Sequence, residues 1–210
     1  GLVGSNGAGK TTLLRLMSGV YKPSSGKVCL EDGTPVDKMR EKLGVVPEST
    51  GLYSRLTAWE NIRYHSRMHG VDDKTSWSRT SRFAEHLDIL ENLGRHTKGF
   101  SRGMKQKTAL LRALAHGPSV LLLDEPTASL DPETGDFVRS FLENYQKERK
   151  ASILLASHNM AEVERLCSSV LMMKNGVIID QDNPKELIKK HGRKNLEEVF
   201  LKLTREKYES

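Results

Sequence analysis

The most constraining feature of this chain is a glycine-rich run close to its start. Residues 4–12 read GSNGAGKTT and match the pattern G-x-x-x-x-G-K-[ST], and the residues that follow have the apolar spacing of a helix. Glycines allow the tight turns that aim successive backbone N–H groups inward, and the first turn of a helix attracts anions. Glycine-rich loops also form ordinary turns, but the complete run in front of a helix favours a phosphate-binding loop.

Two side chains of this loop are suited to holding a triphosphate together with Mg²⁺. Lys10 is long enough to reach the outer phosphates, and the Thr11 hydroxyl is a suitable ligand for Mg²⁺. The predicted loop comprises Gly4, Ser5, Asn6, Gly7, Ala8, Gly9, Lys10, Thr11 and Thr12.

Apolar patterns predict an α/β fold with a mainly parallel core sheet. Short continuous apolar runs at residues 43–47, 120–123 and 152–156 are typical of strands that are buried on both faces. Residues 27–31 alternate like a half-buried strand, and residues 170–179 contain an Asn-Gly turn between two apolar runs, which predicts a hairpin.

A helical region interrupts these strand patterns. It opens at a capping-box spacing, Thr57 to Glu60, in which each side chain satisfies a free N–H group of a helix start. We expect an α/β core from residues 1–51 and 117–210, with an all-helical subdomain inserted at 52–116. The helical spacing is carried first by Phe83, Leu87 and Leu90, then by Ala109, Leu110, Ala113 and Leu114, and in the last helix by Leu196, Val199, Phe200 and Leu203.

Acidic side chains follow one predicted strand, and a histidine follows another. Asp124 and Glu125 end the apolar run that begins at residue 120, and buried carboxylates are costly unless a cation or phosphate partner is present. His158 comes directly after a second buried run and before a helical segment. A lone histidine is structural more often than catalytic, so its role depends on its neighbours.

Composition narrows the class of protein. Only Cys29 and Cys167 are present, far apart and without metal-ligand spacing, which indicates packing thiols in a reducing cytosol. The net charge of +6 would suit nucleic acid or an anionic membrane surface, but scattered basic residues and 6% aromatic residues favour a solvated basic surface.

No apolar run approaches the ~18 residues of a membrane span, and no signal-peptide pattern is present. The chain begins Gly1-Leu2-Val3, and we expect its natural amino terminus to lie upstream.

In the order of these parts, the chain resembles the nucleotide-binding subunit of an ABC transporter over essentially its whole length. Residues 4–12 correspond to Walker A, residues 100–104 to the signature, residues 120–125 to Walker B, residues 129–131 to the D-loop and His158 to the switch histidine. The resemblance implies a P-loop NTPase fold that binds ATP and Mg²⁺ and hydrolyses ATP.

The resemblance also implies roles for individual side chains around the nucleotide. Asp124 would hold Mg²⁺ through water, beside the direct ligand Thr11. Glu125, one residue further, would orient and deprotonate the attacking water. His158 would contact the γ-phosphate.

The signature resemblance implies a dimer, either of two identical chains or with a paired ATPase subunit. Family members use this segment on ATP held by the opposing subunit, so that two Mg-ATP are sandwiched. The positions implied to bind ATP in this way are Ser101, Arg102, Gly103, Met104 and Asp131. The family consensus is Leu-Ser-Gly-Gly-Gln, and the variant found here, like residues 196–204 at the closing helix, is similar to exporters of the sodium-extruding and antibiotic-resistance type.

One position departs from the family pattern in charge. Glu48 stands where a glutamine usually bridges Mg²⁺, water and the membrane partner. A carboxylate can still ligate Mg²⁺, but its negative charge near the phosphates would weaken ATP binding or change how hydrolysis is coupled to transport. The alternative is that Glu48 only faces solvent in a loop.

The resemblance implies a separate transmembrane permease as partner, received near residues 51–57, and no nucleic acid. The chain would then be cytoplasmic and peripheral on the inner face of the cell membrane. One alternative is a soluble ABC ATPase that acts on ribosomes or DNA, although neither a second cassette nor a long inserted coiled coil is visible. Another is a nucleotide-gated module that hydrolyses poorly, which Glu48 favours and Glu125 and His158 oppose.

Overall fold

The computed structural model describes residues 1–128 and 130–205, and its centre is a six-stranded sheet. The strands are β1 (Leu2–Gly4), β2 (Leu43–Val46), β3 (Val120–Asp124), β4 (Ser152–Ala156), β5 (Val170–Lys174) and β6 (Val177–Asp182). Their order across the sheet is β2-β3-β4-β1-β5-β6, with the first five parallel and β6 antiparallel to β5. The predicted α/β fold with a mainly parallel sheet is confirmed.

The helices of the described chain follow the predicted alternation with strands. They are α1 (Lys10–Met17), α2 (Ala58–Met68), α3 (Asp73–His86), α4 (Arg102–Leu114), α5 (Pro132–Arg149), α6 (Met160–Leu166), α7 (Pro184–His191) and α8 (Leu196–Arg205). None of these helices has both the length and the apolar character that a membrane span requires.

The central strand β3 shows why the sheet forms in this order. Leu121, Leu122 and Leu123 are each almost fully buried, because β2 and β4 flank the strand and helices cover the sheet. At the sheet edge, β2 lies very close to α4. A side chain at Gly44 would place its Cβ 2.5 Å from the Ala113 carbonyl oxygen, so only glycine permits this approach.

The regular elements between β2 and β3 are all helical. The capping box at the start of α2 is formed as predicted: the Glu60 N–H donates to Thr57 Oγ1 (3.1 Å), and the Thr57 N–H donates to the Glu60 carboxylate (2.8 Å). Ile62 of α2 and Leu111 of α4 are buried in a core that these helices share with the sheet. Helices α2 and α4 and Phe100 of the predicted signature therefore pack on the sheet through one apolar core.

The strand predicted at residues 27–31 is wrong. Cys29 forms a single bridge with Pro35, and the segment is otherwise a loop around the turn at Gly33. A short 3₁₀ helix, Val36–Lys38, begins directly after Pro35, so the partner segment does not continue as a strand beyond this bridge.

The helical spacing predicted through Leu90 is also interrupted. Helix α3 ends at His86, and Asp88 adopts the left-handed conformation with φ 49°. This reversal buries Ile89 instead and leaves Leu90 exposed. The turn residue, rather than the apolar spacing, decides which side chain reaches the core.

Candidate functional site

The candidate site lies where neighbouring parallel strands end. Strand β1 ends at Gly4, β3 at Asp124 and β4 at Ala156, and Asp124 is in register with Ala156. Because the carboxyl ends of parallel strands meet at one edge of a sheet, the loops that follow begin side by side. This edge is the usual place for a ligand site in an open α/β sheet.

The phosphate loop has the predicted turn and helix start. Gly7 (φ 79°) and Gly9 (φ 102°) are in left-handed conformations that favour glycine, and α1 begins directly after Gly9. The Ala8 N–H donates to the Ser5 carbonyl (3.1 Å), and the Gly176 N–H donates to the Ala8 carbonyl (2.9 Å). The hairpin between β5 and β6 therefore braces the loop.

Lys10 is held inside the loop. Its ammonium donates to the Gly4 carbonyl (2.7 Å) and to the Ser5 carbonyl (3.3 Å), and the residue is only 8% exposed. Asn6 and Thr12 of the same loop are exposed. A buried cation beside the start of a helix makes this position suitable for a polyanion.

Thr11 and Asp124 come together from distant parts of the chain. The Thr11 hydroxyl donates to the Asp124 carboxylate at 2.8 Å. Burial raises the pKa of Asp124, and the nearby Glu48 carboxylate raises it further, whereas the Thr11 hydrogen bond lowers it. Burial and the neighbouring carboxylate both disfavour the negative charge of Asp124, and a cation would compensate for this. The Thr11 hydroxyl and the Asp124 carboxylate are therefore a pair of oxygen ligands that fits a hard divalent cation such as Mg²⁺.

Glu48 is the acidic residue for which the sequence left two roles open. Its side chain is exposed to solvent, in the loop that follows β2. It is nevertheless close enough for its charge to act on Asp124. The loop is tied to α4, because Arg112 donates to the Thr50 carbonyl (2.7 Å) and the Gly51 carbonyl (3.0 Å).

Glu125 and His158 form a direct pair at the ends of adjacent strands. His158 Nδ1 lies 2.8 Å from Glu125 Oε2, the carboxylate is 11% exposed and the imidazole is 64% exposed. Glu125 adopts a left-handed backbone conformation (φ 52°), and its N–H donates to the Ala156 carbonyl (2.9 Å). The chain thus turns immediately after β3 and fixes the carboxylate at the mouth of the site.

A buried carboxylate that the sequence analysis missed connects the loops on either side of this pair. Glu162 is 2% exposed and accepts hydrogen bonds from the Thr127 hydroxyl and the Ser157 hydroxyl, both at 2.6 Å. The spacing from Asn159 to Glu162 was a usable signal, since Asn159 caps α6 by accepting from the Glu162 N–H (3.2 Å). The Glu162 carboxylate, however, binds the two loops that contain Thr127 and Ser157.

Replacing Glu162 by alanine is expected to lower the free energy of unfolding by about 3 kcal/mol, because it removes the acceptor of two charge-assisted hydrogen bonds at a buried position. Urea denaturation followed by circular dichroism measures the change. Glu85→Ala is the matched control, since Glu85 is an exposed glutamate within α3, and it should change stability by less than about 0.5 kcal/mol. Equal effects of the two variants would contradict the assignment of a structural link to Glu162.

The predicted signature residues lie on a separate surface. Ser101 caps α4 by accepting from the Met104 N–H (3.2 Å), and Asp131 caps α5 by accepting from the Thr134 N–H (2.9 Å). The two helix starts are neighbours, since a Cβ on Gly103 would lie 3.2 Å from the Thr134 side chain. Ser101, Arg102 and Asp131 are exposed, and in the part of the chain that the structure describes no hydrogen bond or ion pair links this surface to Lys10. Ser129 of the predicted D-loop lies outside the described residues.

Comparison with known proteins identifies the family to which this chain is similar. The model of the ABC transporter family matches residues 1–128. ABC transporter ATP-binding protein NatA of Bacillus subtilis (strain 168) is 36% identical over 205 residues, which are 96% of this chain and 83% of that protein. Methionine import ATP-binding protein MetN 1 of a Bacillus cereus strain is 34% identical over 194 residues, which are 89% of this chain but 56% of that protein.

Solved structures have the same fold. A structure described as the ATP-binding subunit of an ABC transporter has a TM-score of 0.85 and 27% identity, and the match covers 97% of this chain and 86% of that one. A dimeric structure of a bacterial ABC transporter cassette has a TM-score of 0.79 and 25% identity, and the match covers 87% of this chain and 83% of that one.

Proposed function

Because this chain belongs to the ABC transporter family of ATP-binding proteins, we propose that it binds Mg-ATP and hydrolyses it to drive a separate membrane permease. The observation that carries the proposal is the convergence of two pairs at one edge of the sheet. One pair is Thr11 with Asp124, and the other is Glu125 with His158. The first suits a metal-bound triphosphate, and the second suits activation of a water molecule.

In this proposal, the residues of the phosphate loop bind and the residues after β3 and β4 perform the chemistry. Lys10 contacts the outer phosphates, and Thr11 and Asp124 would hold Mg²⁺, which supplies neutralising charge when bound. Glu125 accepts the proton of the attacking water, while His158 holds that carboxylate in place and contacts the γ-phosphate. Phosphoryl transfer needs little covalent help, so positioning and charge stabilisation provide most of the rate.

We also propose that two ATPase subunits act together. Each would contribute Ser101, Gly103 and their neighbours, with Asp131, to the ATP held by the other subunit. The exposure of Ser101 and Asp131 and the adjacency of their helix starts support this proposal, because a helix N-terminus attracts phosphate. The dimeric structure of the related cassette supports it as well.

The proposed permease contact is the exposed aromatic surface formed by Tyr53 and Tyr64. The two rings meet edge to face with centroids 5.8 Å apart, and they are 56% and 51% exposed. The Tyr53 backbone is fixed, since its N–H donates to the Asn61 side chain (2.8 Å) and its carbonyl accepts from the Thr97 hydroxyl (3.0 Å). An exposed aromatic pair on a rigid backbone is a suitable anchor for a partner helix.

We further propose that the permease driven by this chain is an exporter. This proposal depends on the signature variant at residues 100–104 and on the closing helix α8, which are similar to exporter-type subunits. Under this proposal the chain lies on the cytoplasmic face of the membrane through its permease and has no nucleic-acid partner.

Co-purification from native membranes tests the proposed partner. The tagged protein is extracted in a mild detergent, and proteins recovered in stoichiometric amount are identified by mass spectrometry. We expect a multi-span membrane protein with the unmodified chain and its loss with Tyr53→Asp, since a buried carboxylate would disrupt the contact. Val177→Asp is the matched control, because Val177 is an equally exposed apolar residue on β6.

The possible outcomes separate the proposed function from its alternative. A membrane protein that is retained by Val177→Asp and lost by Tyr53→Asp supports both the transport role and the contact surface. Recovery of ribosomal or DNA-associated proteins without a membrane protein would overturn the transport role in favour of a soluble ATPase. A membrane protein retained by both variants would overturn the contact surface alone.

A further inference from the structure

We propose that His65, His69 and His116 form a binding site for a divalent transition-metal ion of the zinc type. Each imidazole offers one nitrogen, and these three nitrogens lie within 4.8 Å of one another. His65 and His69 are four residues apart, at the end of α2 and just beyond it, so they share one face of that helix, and His116 follows the end of α4. Imidazole nitrogens are preferred ligands of Zn²⁺.

The hydrogen bonding of His116 leaves one nitrogen suited to a metal. Its Nε2 lies 2.9 Å from the Leu43 carbonyl, which can only accept, so Nε2 carries the proton and Nδ1 has a free lone pair. Metal-binding histidines commonly make such a bond to a backbone carbonyl, since it fixes the ring and its tautomer.

Two nitrogens of this group are buried without a partner. His116 Nδ1 and His65 Nδ1 are inaccessible to solvent and have no hydrogen bond to any residue that the structure describes, and His116 as a whole is 7% exposed. A buried polar atom without a partner lowers stability, so such atoms are rare in native proteins. A bound metal ion would satisfy both nitrogens at once.

The three rings require only a local rearrangement to enclose an ion. The ring of His69 is stacked on that of His116, with centroids 4.0 Å apart, and lies 5.0 Å from the ring of His65. Tetrahedral Zn²⁺ with bonds of 2.0–2.1 Å needs nitrogens about 3.3 Å apart. His69 is less buried than His116, so rotation of its side chain brings its nitrogen into position.

The surrounding charges are mixed. Arg112 and Arg79 act unfavourably on a cation here, whereas the Glu41 carboxylate lies close enough to His69 to favour positive charge. Burial is the main cause that lowers the pKa of His65 and of His116 to about 4. Neutral imidazole is the form that binds a metal.

Metal binding at this site would join the helical insertion to the edge of the sheet. His65 and His69 belong to α2 and its carboxyl end, and His116 is anchored to the first residue of β2 through Leu43. An ion shared by the three side chains would therefore stabilise the packing of α2 and α4 against β2. This role is independent of the ATP site.

Direct metal titration tests the site. The untagged full chain is freed of metal with a chelator and titrated with Zn²⁺ by calorimetry, with millimolar Mg²⁺ present to occupy the carboxylates of the nucleotide site. We expect one equivalent of Zn²⁺ to bind with a dissociation constant of about 1 μM or below and to raise Tm by about 5 °C. Co²⁺ used as a probe should give the visible absorption of a tetrahedral nitrogen site.

The decisive variant is His69→Gln, because His69 is less buried than His65 and His116 and its loss is least harmful to folding. It should weaken Zn²⁺ binding at least about 100-fold, and His65→Gln provides a second variant with the same expected result. His86→Gln is the matched control, since His86 is an exposed histidine on α3. Absence of stoichiometric Zn²⁺ binding, or equal affinity in His69→Gln and His86→Gln, would overturn the proposal.

Discussion

The Lys10→Ala variant is expected to bind ATP at least about 100-fold more weakly than the unmodified chain, which corresponds to roughly 2.7 kcal/mol. The Lys10 ammonium is held inside the phosphate loop by the carbonyls of Gly4 and Ser5. It would therefore meet the outer phosphates with little loss of side-chain entropy, and charge-assisted hydrogen bonds of this kind are the strong ones. Isothermal calorimetry with Mg-ATP measures the loss.

Two controls distinguish loss of the phosphate contact from loss of structure. Lys22→Ala removes an exposed lysine just beyond α1 and should leave ATP affinity within about twofold of the unmodified value. Lys10→Met retains the apolar stem and should lose as much affinity as Lys10→Ala, since the charge is missing in both. Unchanged ATP affinity in a folded Lys10→Ala protein would overturn the assignment of the phosphate loop.

The features that could be predicted from the sequence are those determined by a few neighbouring residues. The Thr57 capping box and the Asn175-Gly176 turn depend on local spacing and residue type, and the continuous apolar run of β3 is equally visible in the sequence. The phosphate loop belongs to the same class, because Gly7 and Gly9 supply conformations that other residues avoid. These features can be recognised in the sequence because the residues that determine them are close together along the chain.

The features that could not be predicted depend on contacts between distant parts of the chain. Glu162 meets Thr127 across 35 positions of sequence, and His116 meets Leu43 across 73. No local pattern records which buried hydroxyl or carbonyl will face a polar side chain after the strands have paired. The order of strands in the sheet, which places β1 between β4 and β5, has the same origin.

Glu48 is a residue whose unusual type can be read from the sequence but whose neighbours in the fold cannot. The sequence identified the position as unusual and left two interpretations open. The carboxylate either ligates Mg²⁺ and changes ATP binding or coupling, or only faces solvent in a loop. In the structure the Glu48 side chain is exposed and its charge raises the pKa of Asp124, an effect between distant residues that no local sequence pattern records. That the Glu48 carboxylate weakens ATP binding stays a prediction.

The Glu125→Gln variant is expected to bind ATP like the unmodified chain but to hydrolyse it at least about 100-fold more slowly, because loss of a general base typically costs 10²–10⁴ in rate. The amide has the same shape as the carboxylate and retains an oxygen that can accept from His158, so the contact seen at 2.8 Å is preserved while the base is removed. Phosphate release measures turnover, and calorimetry measures ATP affinity.

The same variant tests whether ATP holds two subunits together. If closure of the dimer precedes hydrolysis, a protein that binds ATP without cleaving it should accumulate as a dimer in Mg-ATP, which size-exclusion chromatography with light scattering detects. Glu133→Gln is the matched control, since Glu133 is an exposed glutamate in the first turn of α5, and it should neither slow turnover nor trap a dimer. Normal turnover in Glu125→Gln would exclude Glu125 as the base. Slow turnover by a chain that stays monomeric would support the hydrolytic role of Glu125 and contradict the proposed dimer.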